Sequence, residues 1–523
     1  METLEIRPPL RMRTGYVSNK DIVGDFYLAY LSRLVSKQIR TDVLTGRAKF
    51  GIESAGKELC QIAMSRAFRL GDYFSGYYRD QTFMMHKGLA SVKEIFATLY
   101  ADAANDPFGA GRNMNGNFAT PFLDEHDNWK ELTDEYNVAS ALAPLGGQIP
   151  RGLGLALASK YYGQIERSSH FSNNGAEVSF VVLGDATTSE GIFLESLNAA
   201  CVMQVPVIFV VQDNGYGISV STELQTAKGS ISKALAGFQR TKEDPNGCEI
   251  YKVKGWDYHA LLRTFKKAVD LCRDEHVPIL VHVDELTQLN GHSTSGSHER
   301  YKPEERLQWE LEMDCLVHFE NLILEQGILS SSELESLKED AKTALKDQRK
   351  EAWSDSQRPF VQLKKELGQL LDKLESSYSN LESIMTAKSN LKSYSSGVTA
   401  TILAIADDLI LDLIRYGASE ALTELKQWQL RHNDHLQDVY KSHLYCDNDH
   451  SALTVPVVPA QYDEDAPVVN GYEILNAYFD QLLDSDERVS AFGEDVGLIG
   501  GVNQAFAGLQ AKYGDHRVFD TGI

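Results

Sequence analysis

At 523 residues the chain is too long for one core, and a norm of roughly 100–200 residues per domain divides it into about three. Its 51 basic against 74 acidic residues leave a formal net charge of −23, which argues against nucleic-acid binding as the main role. No apolar run approaches the ~20 residues of a membrane span, and the start, METLEIRPPLRMRTGY, carries no apolar signal core or clear transit pattern, so a cytoplasmic protein is expected. The six cysteines are scattered without a CxxC and read as reduced intracellular thiols.

In chain order, residues 21–46 are helical by pattern, with Ile22, Phe26 and Ala29 at helical spacing, and a second helix is expected over 53–68. A loop follows, Asp72 to Asp80, in which Arg79 stands between an aromatic pair and an Asp and can present a guanidinium to an anion. Read alone, Arg79 is more simply a surface salt bridge. A helix is expected over 84–99. Pro144-Leu145-Gly146-Gly147 then makes a rigid turn before a small-residue helix, 151–161. Leu145 projects from that turn or is simply buried.

Residues 178–183 (VSFVVL) are an apolar run of strand length, 190–203 a helix ended by Pro206, and 207–211 (VIFVV) a second buried strand. This βαβ unit puts Asp185 and Asn214 just past the carboxyl ends of two parallel strands, where ligands of open α/β sheets bind. A carboxylate, an amide oxygen and a nearby carbonyl are hard oxygen donors that suit Mg²⁺. The alternative is an ordinary Rossmann-like turn with a capping Asp. Further strands are expected over 247–253 and 277–283, flanking a helix at 258–272. His292 follows in a polar loop, 290–301, either to shuttle a proton near neutrality or as a plain solvated histidine.

The opening Gly184-Asp185-Ala186 and the close Asp213-Asn214-Gly215-Tyr216 resemble the thiamine-diphosphate fold motif. With Tyr77-Tyr78-Arg79-Asp80, Gly111-Arg112-Asn113-Met114, Pro144 to Pro150 and Gly291-His292-Ser293-Thr294-Ser295, they run in the order of a known family. The chain is similar to the α subunit of the thiamine-dependent first component of 2-oxo acid dehydrogenase complexes. The resemblance implies an α/β thiamine-diphosphate-binding fold, a parallel sheet flanked by helices, over residues 15–320. By it, Asp185, Asn214 and the carbonyl of Tyr216 hold Mg²⁺ on the diphosphate of thiamine diphosphate. Gly184 and Ala186 flank the metal ligand, Tyr78 and Arg79 contact the diphosphate, and Leu145 supports the bent cofactor. His292 lies over the diphosphate with a proton-transfer or substrate-orienting role.

The sequence departs from the family at Asn117, Ala143, Gln212, Gly296 and Gly522, where many members carry His, Ser, Arg, Asp and Pro. The resemblance implies oxidative decarboxylation of a 2-oxo acid, with the branched-chain 2-oxoisovalerate type preferred, and acyl transfer to a lipoyl-bearing acyltransferase. A pyruvate dehydrogenase or another thiamine-diphosphate enzyme is one alternative. A non-catalytic cofactor-binding scaffold, motivated by Gln212 and Asn117, is another.

Residues 325–450 carry Leu363, Leu367, Leu370, Leu374, Leu381 and Ile384 at near-heptad spacing and read as a helical hairpin or short bundle without chemistry. Residues 451–469, with three prolines and an acidic cluster, read as an extended linker. Residues 470–523 resemble the start of the family's β subunit, of the transketolase-pyrimidine type. The expectation is therefore an α–β fusion cut short before a β-type glutamate, self-associating as an α₂β₂-like homodimer, with segment 470–523 mobile or docked in a partial fold.

Overall fold

The computed structural model describes residues 17–113, 116–165, 171–294, 296–379, 381–442, 444–446, 448–449 and 451–522. Met114, Ser295, Ile523 and the segment 1–16 lie outside the described residues.

The chain opens with α1 (Asn19–Leu44), α2 (Glu58–Ala67), β1 (Tyr73–Ser75), α3 (Gln81–His86), α4 (Val92–Leu99), β2 (Asn137–Ala139) and α5 (Gln148–Tyr162). The βαβ unit follows as β3 (Ser179–Gly184), α6 (Gly191–Met203) and β4 (Val207–Gln212). A small hairpin, β5 (Tyr216–Gly217) and β6 (Val220–Ser221), leads through the single turns α7 (Thr222–Gln225) and α8 (Ile231–Ala234) to β7 (Glu249–Lys254). Then come α9 (Tyr258–Glu275), β8 (Ile279–Asp284), α10 (Glu304–Glu312) and α11 (Cys315–Glu325).

Six strands form one all-parallel sheet in the order β2-β1-β3-β4-β8-β7. The central strands are β-branched and buried on both faces, as a sheet with helices on each side requires. Side chains alternate between the faces. Phe180, Val182, Ile208, Val210, Ile279 and Val281 join α1, α2, α9 and α11 in one core. Val181, Leu183, Val207, Phe209, Val211 and Leu280 pack against α5 and α6 in the other. Each such buried side chain contributes roughly 1.5–3 kcal/mol.

Two expected helices differ from the structure. Residues 53–57 are not helical, because Gly56 turns the chain through a positive φ of 95° and α2 starts only at Glu58. The helix expected over 84–99 is two, separated at Gly88 (φ 71°), with α4 restarted by a Ser91–Glu94 capping box.

The 47-residue α12 (Ser331–Ser377) bridges two cores. Its first half, through Leu334, Ala341, Leu345 and Ala352, belongs to the α/β core. Its second half, from Phe360 to Leu374, packs with α13 (Glu382–Ser393), α14 (Thr399–Leu413) and α15 (Glu420–Lys441) around a separate apolar centre. The change of core falls beside Pro359, inside the helix rather than before it. Residues 455–468 are largely exposed; Val457 is 94% exposed.

Beyond them α16 (Gly471–Ser485), β9 (Ala491–Gly493), α17 (Leu509–Tyr513) and β10 (Val518–Asp520) enclose a small centre of Leu483, Leu509 and Val518. The Tyr161 hydroxyl donates to the carbonyls of Glu487 and Val489 at 3.0 and 3.1 Å, so this segment rests on α5. No helix among the described residues is long and apolar enough to cross a membrane. All six cysteines are free, and only Cys446 is exposed.

Candidate active site

The chain leaves β1 toward β2 on one side and returns to β3 on the other, so the carboxyl ends of β1 and β3 flank a topological switch point. Loops that diverge there open a crevice for ligand. The loop after β1 carries Tyr77 to Asp80, and Asp185 directly follows β3. The loop after β4 carries Asp213 to Gly215, and that after β8 carries Thr287 to His292.

On the β1 side, Arg79 is buried, yet its guanidinium meets no carboxylate at salt-bridge distance among the described residues. It donates to the carbonyl of Glu53 at 2.5 Å, to the carbonyl of His292 at 2.7 Å and to His292 Nδ1 at 3.1 Å, and lies 4.9 Å over the Tyr78 ring. A guanidinium only donates, so Nδ1 accepts and the neutral imidazole carries its proton on Nε2. Burial, with Arg79 and Lys57 nearby, pushes His292 down to about 4, which keeps the ring neutral at physiological pH.

On the β3 side, Asp185 is 2% exposed and accepts from Gln225 Nε2 at 3.3 Å. Burial and the neighbouring Asp213 push its carboxyl up to about 7, against the pull of Lys57. Asp213 is fixed by His282 Nε2 at 2.9 Å and by the Gly215 N–H at 2.8 Å. Asn214 Oδ1 accepts from the Tyr216 N–H at 3.1 Å, which sets the turn into β5. Arg306 of α10 holds that turn from outside, donating to the Asn214 carbonyl at 2.7 Å and lying 5.4 Å over the Tyr216 ring.

Lys57, just before α2, closes the floor. It is buried, and burial and Arg79 push its ammonium down to about 7. It donates to Gln288 Oε1 at 2.6 Å, the same oxygen that takes Asn214 Nδ2 at 3.3 Å. Glu53 is buried with both carboxylate oxygens unpartnered among the described residues, and burial raises it to about 7. Asp80 Oδ1, Gln212 Nε2, Thr287 Oγ1 and Gln288 Nε2 are likewise buried without a partner among the described residues. Native proteins satisfy nearly all such groups, so a concentration of exceptions at one sheet edge marks a ligand site.

A family model described as "Dehydrogenase E1 component" matches residues 28–360. The chain belongs to that family. The match ends where the second core of α12 begins, so the helical bundle and the segment from 470 onward lie outside it. The 2-oxoisovalerate dehydrogenase subunit alpha of Bacillus subtilis (strain 168) is 26% identical over 315 residues, 60% of this chain and 85% of that protein. The pyruvate dehydrogenase E1 component subunit alpha of Staphylococcus aureus (strain Mu50 / ATCC 700699) is 27% identical over 350 residues, 64% and 82% of the two chains. The chloroplastic pyruvate dehydrogenase E1 component subunit alpha-3 of Oryza sativa subsp. japonica is 26% identical over 282 residues, 54% and 60%. E1 components of 2-oxo acid dehydrogenases are thiamine-diphosphate-dependent oxidoreductases.

In this E1 chain the fold gathers Tyr78, Arg79, Asp185, Asn214, Tyr216 and His292 at the carboxyl edge of the sheet. Gly184 ends β3, and the Ala186 methyl packs so closely on the hairpin that a Cβ on Gly217 would sit 2.7 Å from it. Leu145 lies in the turn that runs from the carboxyl end of β2 into α5, 38% exposed. Arg112, from the Gly-Arg-x-Met motif, instead donates to the Val439 carbonyl and the Ser442 hydroxyl at 3.2 and 3.1 Å, tying the helical bundle to the α/β unit. Sequence reasoning missed Lys57, Glu53, Gln288 and Arg306. Gly56 just before Lys57 was the one available signal, since a glycine there breaks the helix and lets the loop turn inward.

Proposed function

We propose that this chain carries out oxidative decarboxylation of a 2-oxo acid and passes the acyl group to a lipoyl-bearing acyltransferase, using thiamine diphosphate and Mg²⁺. The observation that supports this most is the meeting of a buried, destabilised carboxylate, Asp185, with the carboxylate-free Arg79–His292 pair at one switch point. The donor set fits a hard divalent cation: a carboxylate that burial penalises until a cation arrives, an amide oxygen on Asn214 and the carbonyl of Tyr216. Bound thiamine diphosphate would supply the ylid and the electron sink.

The chain's own residues then hold and orient. Asp185, Asn214 and Tyr216 would keep the metal, and Arg79 with Tyr78 would face the diphosphate. Gly184 and Ala186 allow close backbone approach, and Leu145 would brace the cofactor. His292, with Nδ1 engaged by Arg79, presents Nε2–H as a hydrogen-bond donor, which favours an orienting role toward the substrate carbonyl or phosphate.

The branched-chain 2-oxoisovalerate type remains the preferred substrate, on the Gly291 to Ser295 stretch, with pyruvate as the competitor. The relatives named for the two acids are similarly distant, at 26–27% identity. A homodimer of α₂β₂ type, pairing 15–320 with the segment from 470 onward, is the assembly that suits this reading. Gln212, neutral and accepting from the Tyr77 hydroxyl at 3.3 Å, favours a second reading as a cofactor-binding scaffold.

Calorimetric titration with thiamine diphosphate, with and without Mg²⁺, tests the first reading. Metal-dependent binding that Asp185→Ala abolishes supports it, and unchanged affinity in that variant refutes the metal site. Turnover of 2-oxoisovalerate and pyruvate then separates the enzyme from the scaffold and ranks the two substrates.

A further inference from the structure

Among the described residues, three buried cations stand around the crevice, and one of them is paired. Lys302, 4% exposed, donates to both Glu310 oxygens at 2.7 and 2.9 Å. Lys57, 1% exposed, has no carboxylate at salt-bridge distance among the described residues. Its acceptors are neutral oxygens, Gln288 Oε1 at 2.6 Å and the Thr287 carbonyl at 3.4 Å. Arg79 likewise leans on two carbonyls and an imidazole nitrogen.

An unpaired buried charge costs several kcal/mol, and two side by side repel one another as well. The fold nonetheless builds this feature with care. Gly56 presses the loop so tightly on the β8 side that a Cβ there would sit 2.2 Å from the Thr287 carbonyl, and this seats Lys57 over Gln288. The amide nitrogens of Gln288 and Gln212, both buried, are donors left without an acceptor among the described residues. Two cations and two spare N–H donors around one crevice call for anionic oxygens.

We propose that Lys57 is a further anion-binding residue of this site, its ammonium taking a phosphate oxygen of a diphosphate ester, with Gln288 positioning it. The inference rests on the cofactor reading above and adds a ligand contact that Gln212, being neutral, does not supply.

The test uses the full chain, with inorganic pyrophosphate and thiamine diphosphate as separate calorimetric probes, each with and without Mg²⁺. Lys57→Met should weaken pyrophosphate by at least roughly tenfold, the scale of one charge-assisted bond. The ligand-free melting temperature should stay level or rise, because an unpaired buried charge has been removed. Lys57→Gln should behave in the same direction. Wild-type affinity for pyrophosphate in both variants would overturn the proposal. So would a lower ligand-free melting temperature with affinity intact in the folded fraction, since that is a purely structural lysine. If wild-type protein binds pyrophosphate but not thiamine diphosphate, the cofactor reading fails while the anion site stands. If it binds neither, both fail.

Discussion

Asp185→Asn separates the cost of building the site from its use. Burial and Asp213 raise this carboxyl from 3.8 to about 7, a gap of about three units. A group whose folded pKa is raised contributes stability that is full below the unfolded value and is lost as pH rises to the folded one. At about 1.4 kcal/mol per unit, the metal-free protein therefore loses up to ~4 kcal/mol between pH 4 and pH 7. Asparagine carries no charge to bury, so in EDTA at pH 8 the variant should be more stable than wild type by about 1–4 kcal/mol. Near pH 4 the two should agree. Added Mg²⁺ with thiamine diphosphate should shift the difference toward wild type. Wild type gains ~2.7 kcal/mol at a ligand concentration of 100 Kd, and the variant gains little. Urea titrations followed by tryptophan fluorescence, at both pH values, with and without cofactor and metal, read all four quantities. A variant no more stable than wild type in EDTA at pH 8 would refute the burial argument. Equal stabilisation of both proteins by the loaded metal would refute the ligand role.

Three further outcomes concern Arg33, Asp80 and Gly56. Arg33 donates to Glu58 at 2.7 and 2.9 Å and to Asp314 at 2.7 and 2.9 Å, joining α1, α2 and the N-terminus of α11. Arg33→Met strands the fully buried Glu58 and should cost about 3–5 kcal/mol in urea denaturation; a loss below about 1 kcal/mol would mean that Glu58 finds another partner. Asp80 is buried, and burial raises its carboxyl to about 8, so its contribution also fades as pH rises. The stability of Asp80→Asn relative to wild type should grow by about 1.4 kcal/mol per pH unit between pH 5 and pH 8, and a pH-independent difference would contradict the assignment. Gly56→Ala forces a Cβ against the Thr287 carbonyl at a positive φ, so it should cost about 1–3 kcal/mol in backbone strain and weaken cofactor binding by calorimetry. Unaltered binding would show that the loop has slack.

The βαβ unit was legible in the sequence because its signals are local. Two β-branched runs of strand length, a helix-period segment and Pro206 place Asp185 and Asn214 past two strand ends whatever the rest of the chain does. The helices of the bundle were legible for the same reason, since leucines at near-heptad spacing bury one face. Where one core gives way to another was not, because α12 runs unbroken through Pro359 and only the partners packed on each half differ.

The site shows the same division. Arg79, Asp185, Asn214 and His292 stand in short motifs that can be read off the chain. The tautomer of His292 could not be, because it follows from an arginine 213 residues earlier in the chain. Lys57 was no more legible. A lysine before a helix is ordinarily solvated, and its burial depends on Gly56 turning the loop onto Thr287 and Gln288, some 230 residues away. Sequence by itself determined which residues can carry charge and where strands end. The tertiary structure alone decided which charges are paired, because pairing and desolvation are set by neighbours that only folding brings together.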